Sequence, residues 1–157
     1  MPLALTFYTF VVGLHVVFAV SFLGAAGAFS ILGPMMRDNP QHARFGLAVM
    51  QKVYKVAIFP GIVLVFASGL YQTIDGEWSD DAWLNVSIVL FLLMAALSVF
   101  VIYPAIKTAI SELEKKGDAP GPPSATFVGA VTRLRTFGPL MGVSLMVITF
   151  LMVTRPF

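Results

Sequence analysis

Four long apolar stretches, Leu3–Met36, Val56–Ile74, Ala82–Ile106 and Phe137–Thr154, are separated only by short charged segments. Each reaches the roughly 17–25 residues that an α-helix needs to cross a bilayer. Lipid offers no partner for backbone N–H and C=O groups, so such stretches must satisfy those groups within the segment, as a helix does. Hydrophobic residues make up 58% of the 157 and charged ones only 11%, with a mean hydropathy of +0.88, well beyond soluble domains. The expected fold is all-α, a single four-transmembrane-helix bundle over 1–157, with helices at about 3–36, 47–74, 82–115 and 127–154. The lipid bilayer is its first partner.

Charge alternates between the connecting segments. The first carries Arg37, Arg44, Lys52 and Lys55, and the third Lys107, Lys115, Lys116, Arg133 and Arg135. The second has no Lys or Arg but holds Asp75, Glu77, Asp80 and Asp81. By the positive-inside rule, the basic segments are cytoplasmic and both termini face outward, across a cell inner membrane. The first span lacks a basic leader and is too long for a cleavable signal peptide, so it is expected to stay in the mature protein. Although the net charge is +2, the basic residues flank span ends, where lipid headgroups and not nucleic acid are their partners. There are no cysteines, which excludes disulfides, thiolate metal sites and cysteine nucleophiles.

The two halves echo each other at a shift of seventy positions. Leu14-His15-Val16 falls on Leu84-Asn85-Val86, Pro34 on Pro104 and Arg37 on Lys107. The second and fourth spans share a basic start followed by Phe59-Pro60-Gly61 and Phe137-Gly138-Pro139. Their larger offset is absorbed by Gly117–Ser124, which reads as an inserted flexible turn. Each half would leave and return on the same side, a parallel repeat about the membrane normal.

Within the first span, His15 is the one side chain that titrates near neutral pH. An imidazole in hydrocarbon must be paired, hydrogen-bonded or coordinated, so it is a site candidate by its position. The 34-residue run would be about 50 Å long as a helix, and one end must protrude from a ~30 Å core. Measured from Arg37, His15 lies near the outer boundary. At similar depth are Ser68, Tyr71, Asn85, Ser87, Thr149 and Met152, with Met94 and Met146 deeper. One side of the span carries His15, Ala19, Ala26 and Gly33, and the other Gly13, Ser21, Gly24, Gly27 and Ala28, a stripe suited to close helix approach.

Two readings of His15 stand open. It is a neutral imidazole hydrogen-bonded to Asn85, Ser87, Tyr71 or a backbone carbonyl, or it is an axial ligand of haem iron, with Met152 or Met146 as the sulfur partner. A copper site would use the same His and Met. His42 lies in the cytoplasmic Asn39-Pro40-Gln41-His42 segment and reads as solvated surface. No carboxylate, lysine or arginine falls at mid-span, which argues against an ion-coupled transporter. No helix pairs His and Glu at i, i+3 or i+4, which argues against a metalloprotease or di-iron centre. The acidic Asp75–Asp81 segment reads as a solvated loop, and Trp78 and Trp83 as interface anchors.

Leu14-His15-Val16 in the first span, Pro60 to Gly69-Leu70-Tyr71 in the second, Trp83-Leu84 opening and Tyr103-Pro104 closing the third, and the terminal Arg155-Pro156-Phe157 carry a resemblance. The chain resembles small four-helix bacterial membrane proteins: the membrane-type protoporphyrinogen oxidases, the membrane domain of D-type copper-resistance proteins, and a related integral membrane family of unassigned function, which keeps the layout and the closing basic-Pro signature. The oxidase branch implies haem binding through the residue matched by His15. Its lysine near the start of the third helix is matched by Ser87, and a histidine two places earlier by Asn85. Three functions follow as expectations: haem b bound through His15 for redox chemistry or haem metabolism, a non-catalytic subunit of a larger membrane complex or homo-oligomer, and a copper-handling membrane protein.

Overall fold

A computed structural model describes residues 6–38, 40–75, 81–117 and 121–156. Among them there is no strand, and four helices are long and apolar enough to cross a membrane. They are α1 (Phe7–Asp38), α2 (Ala43–Asp75), α3 (Ala82–Lys116) and α4 (Ala125–Thr154). The expected start at Leu3 lies outside the described residues. A short 3₁₀ turn at Pro40–His42 leads into α2.

The helix ends follow local chemistry. Ser124 takes extended backbone and its Oγ accepts from Phe127 N at 3.1 Å, an N-cap for α4. The same hydroxyl donates to Glu112 Oε2 at 2.6 Å, tying the start of α4 back to α3. At the end of α3, Gly117 has φ 58°, a left-handed turn that favours glycine. Arg44 Nη2 reaches across from α2 to donate to the Leu113 and Gly117 carbonyls at 3.0 and 2.8 Å. One long side chain thus satisfies the Gly117 carbonyl beyond the last turn and shares the Leu113 carbonyl with Gly117 N, which donates to it at 3.2 Å.

Two widened turns interrupt α2 and α3, at Tyr54–Ile58 and Ser98–Ile102. Each is followed at once by an aromatic residue and a proline, Phe59-Pro60 and Tyr103-Pro104. A proline ring collides with the carbonyl four residues before it, here Val56 and Phe100, and cannot donate to it. Both carbonyls sit in the middle of a widened turn, so the π geometry removes the collision and keeps the helix running. These turns do not follow the seventy-residue echo, because α1 passes Pro34 as continuous α-helix. They relate the neighbours α2 and α3 instead.

The two turns meet. Tyr54 and Tyr103 stack with centroids 4.6 Å apart and planes 17° from parallel, and Ser98 Oγ donates to Tyr54 Oη at 3.2 Å. Tyr54 and Ser98 are buried. Around and below this junction lies the core at the basic-loop end, built from Leu47, Met50, Ile102, Ala105, Ile106 and Ala109 against Ala130 and Met141. A second cluster, Phe22, Ile58, Phe91, Leu145 and Ile148, continues it toward the acidic-loop end.

Neighbours run in a ring, α1 against α2, α2 against α3, α3 against α4 and α4 against α1. The α2–α3 side is uneven. Ala43–Val53 packs on Tyr103–Lys116, whereas Phe59–Asp75 leans on α1, Ala82–Leu97 leans on α4, and these two segments scarcely approach each other. Most of the apolar surface faces outward: in the most apolar part of α1 only 6% is buried within the protein, the surface expected of helices solvated by lipid.

That division predicts the cost of truncation at two aromatic positions of the widened turns. Tyr54→Ala removes a ring that is 2% exposed and should destabilise the fold by about 3–5 kcal/mol. Phe100→Ala, 76% exposed, exchanges one lipid-facing apolar surface for another and should change it by under about 0.5 kcal/mol. Unfolding in mixed micelles of increasing denaturing detergent measures both.

Candidate functional site

Where the Phe59–Asp75 and Ala82–Leu97 segments separate, they leave a cavity of about 200 Å³ that all four helices wall. From α1 come His15, Ala19, Phe22 and Leu23, and from α4 Leu145, Ile148, Thr149 and Met152. The α2 wall includes Val65, Phe66, Gly69, Leu70, Gln72 and Thr73, and the α3 wall Trp83, Leu84, Ser87, Ile88, Phe91 and Leu92.

His15 is half-buried, and its orientation is set by α2. Its Nδ1 lies 2.9 Å from Ser68 Oγ. Ser68 Oγ donates to the Leu64 carbonyl one turn back and lies 3.3 Å from the Val65 carbonyl. A hydroxyl has one proton to give. With that proton on its own helix, Ser68 faces His15 as an acceptor, and Nδ1 must carry the hydrogen. In the neutral ring the lone pair then belongs to Nε2. An imidazole held by a hydrogen bond at one nitrogen, with the other bare, is the usual arrangement of a metal-ligating histidine.

Gly69 makes the approach possible. A Cβ there would stand 3.1 Å from His15 Cε1 and 3.6 Å from Nδ1, tighter than carbon atoms normally sit. Gly61 plays the same part lower down, where a Cβ would come within 3.1 Å of Phe22. The two glycines let α1 lie close on α2 and bring the ring edge against the α2 backbone.

The remaining polar groups share a pattern. Thr73 Oγ1 donates to Gly69 O at 3.0 Å, Ser87 Oγ to Trp83 O at 2.8 Å and Thr149 Oγ1 to Leu145 O at 2.8 Å. Gln72, itself buried, donates to Ser68 O at 3.0 Å and so braces the residue that holds His15. Since each hydroxyl proton is committed to the backbone, the oxygens present lone pairs. Together with the His15 imidazole and the Met152 thioether, these oxygens offer electron pairs, which suit an electron-pair acceptor such as a metal centre.

The structure separates the residues that sequence depth had grouped. His15, Ser87, Thr149 and Met152 line one cavity. Asn85 is exposed on another side of α3, and Tyr71 packs edge-to-face on Phe7 with centroids 5.5 Å apart; neither lines the cavity. Met146 is 66% exposed and Met94 belongs to the core at the basic-loop end. Trp83, expected at the lipid interface, is instead buried in the cavity wall, one turn before the fully buried Ser87, with the Arg155 guanidinium 5.5 Å from its ring. Trp78 lies outside the described residues. His42 is exposed, distant in the chain fold from this end. Among the described residues no three His, Asp or Glu side chains come together to hold a metal ion.

Sequence reasoning missed Gly69 and Gln72 and did not pair His15 with Ser68. The available signal was Ser68 and Gln72 themselves: two polar residues four apart on an apolar helix mark a face turned away from lipid. The arrangement predicts a single tautomer. ¹⁵N magnetic resonance of selectively labelled histidine should show His15 with Nδ1 protonated and Nε2 bare, and Ser68→Ala should mix the two tautomers. An Nε2-protonated ring in the unsubstituted protein would contradict the geometry.

No curated protein and no solved structure matches the chain significantly. The family described as "Predicted integral membrane protein (DUF2269)" matches residues 9–156. Four membrane-length apolar helices and a match across nearly the whole chain place it plainly: this protein belongs to that family of integral membrane proteins, whose function is unknown.

Proposed function

We propose that this protein binds haem b in the bacterial inner membrane, with His15 Nε2 as axial ligand, in the service of redox chemistry or haem metabolism. The observation that carries the reading is the Ser68-held ring of His15, which lines a cavity that Met152 also lines. A thioether opposite an imidazole is a known haem ligand pair, and it raises the reduction potential. Ala19 is a small neighbour of His15 on the cavity side of α1, and the apolar walls suit a macrocycle. Bound haem would supply one-electron chemistry at iron. The protein's own part is to hold the ring, exclude water with Phe22, Trp83 and Phe91, and present the lone pairs of its hydroxyls. About 200 Å³ is less than the ~300–1,000 Å³ of most ligand pockets, so the macrocycle would extend into the space between α2 and α3.

The proposed orientation puts Arg44, Lys52, Lys55, Lys107, Lys115 and Lys116 on the cytoplasmic side and both termini outside. The cavity then lies in the outer half of the bilayer. The purified protein from haem-replete cells should show a Soret band that His15→Ala abolishes. Met152→Leu should keep the band and lower the reduction potential. A colourless protein, or a band indifferent to His15→Ala, overturns the reading. Metal analysis of the same samples tests the copper alternative, which would use the same His15 and Met152.

A second reading has its own observation. Gly13, Gly24 and Gly27 on α1 have open space where a side chain would be, with nothing within 4 Å, and Val17, Val20 and Ile31 around them are exposed. Small residues unused inside the chain suit packing against a helix of another chain. In that reading the protein is an accessory subunit or a homo-oligomer. Stoichiometric co-purification of a partner or a second copy in mild detergent, lost in Gly24→Leu, would support it; a monomer in native membranes would exclude it.

A further inference from the structure

We infer that the cavity is open sideways to the bilayer between α2 and α3, and that a lipid acyl chain enters it by that route. Three observations support this. Phe59–Asp75 leans on α1 and Ala82–Leu97 leans on α4, so the cavity is a wedge whose back is the α1–α4 contact. Phe66, Leu70 and Leu92 line the cavity and are also 39%, 46% and 47% exposed on the apolar outside. The same side chains belong to the inner wall and to the lipid-facing surface, so on this side the wall is no more than one side chain thick. At the end nearest the acidic loop, by contrast, Gln72 and Trp83 are buried.

The floor of the wedge is defined as well. Phe66 and Phe91 stack across the gap with centroids 6.2 Å apart and planes 8° from parallel, above the junction of the two widened turns. The gap above them is walled mainly by aliphatic and aromatic groups, and its polar side chains, among them His15, Gln72, Thr73, Ser87 and Thr149, already hydrogen-bond within the protein, whereas water needs two to four polar partners to be held. Acyl chains surround this surface and recover the dispersion contacts that an empty wedge forfeits. The occupant of the gap is therefore the hydrocarbon of the bilayer itself, until another apolar ligand displaces it. This rests on the shape of the cavity and is independent of iron.

Trp83, which lines the cavity while being 4% exposed, is a built-in reporter. With Trp78→Phe it becomes the only tryptophan, since the chain has two. The haem-free protein is placed in vesicles of phosphatidylcholine brominated along one acyl chain, where bromine quenches an indole only on near contact. Trp83 emission is expected to be largely lost, despite its burial, and to be recovered when Ala19→Phe fills the cavity from α1; Thr149→Phe fills it from α4 should the first variant fail to fold. Unquenched Trp83 overturns the inference, because no chain then enters. Equal quenching in the filled variants also overturns it, because the chain then reaches the indole without the cavity. Loss of the Soret band in His15→Ala is read separately, so either proposal can fail alone.

Discussion

The junction of Tyr54, Ser98 and Tyr103 decides how the bundle opens. It binds α2 to α3 at one level through a ring stack and a hydroxyl pair, worth about 0.5–1.5 kcal/mol for the stack beyond its buried area. Below it the helices are locked by the Leu47–Ile106–Ala109 core and by Arg44 on the end of α3. Above it the Phe66–Phe91 stack is the one ring contact described between them. Beyond the widened turns, Phe59–Asp75 leans on α1 and Ala82–Leu97 on α4. The cavity is the consequence of a pinned base and two diverging arms.

Inside that cavity the electrostatics are simple. Hydrocarbon surroundings leave each polar side chain to find a partner nearby, and the hydroxyls of Ser68, Thr73, Ser87 and Thr149 find it in the carbonyl four residues back. Having spent their protons, they act as acceptors toward everything else. That is why one serine can dictate the tautomer of His15, and why the ring's second nitrogen is bare. Gln72, Ser68 and His15 form a short relay in which each holds the next, resting on the absence of a side chain at Gly69.

Much of the fold was legible because membrane helices announce themselves by length and hydrophobicity. The spans expected at 47–74, 82–115 and 127–154 are observed as Ala43–Asp75, Ala82–Lys116 and Ala125–Thr154, with the ends displaced by caps and turns rather than by any change of element. Lateral geometry was less legible. Trp83 has the composition signature of an interface anchor, yet Ser87 one turn on shows that this face of α3 points inward. Asn85, two residues from each, is turned away by the helical period, and equal depth could not reveal that. The echo between halves aligns Pro34 with Pro104, but proline alone does not produce a widened turn, and α1 has none.

The sequence by itself determined that this chain is a four-helix membrane protein with basic residues at one end and a single imidazole within a span. Those properties follow from additive quantities, hydropathy, length and charge, that need no knowledge of which faces meet. Tertiary structure decided the rest: that α2 and α3 part company above Tyr54, that Ser68 is the partner of His15, and that Ser87, Thr149 and Met152 share its cavity while Asn85, Tyr71 and Met146 do not. In lipid nearly every face of a helix is apolar, so the pattern that tells inside from outside in water is weak. Rotation about each helix axis was left to packing, and packing is where glycine, serine and a pair of stacked tyrosines made the choice.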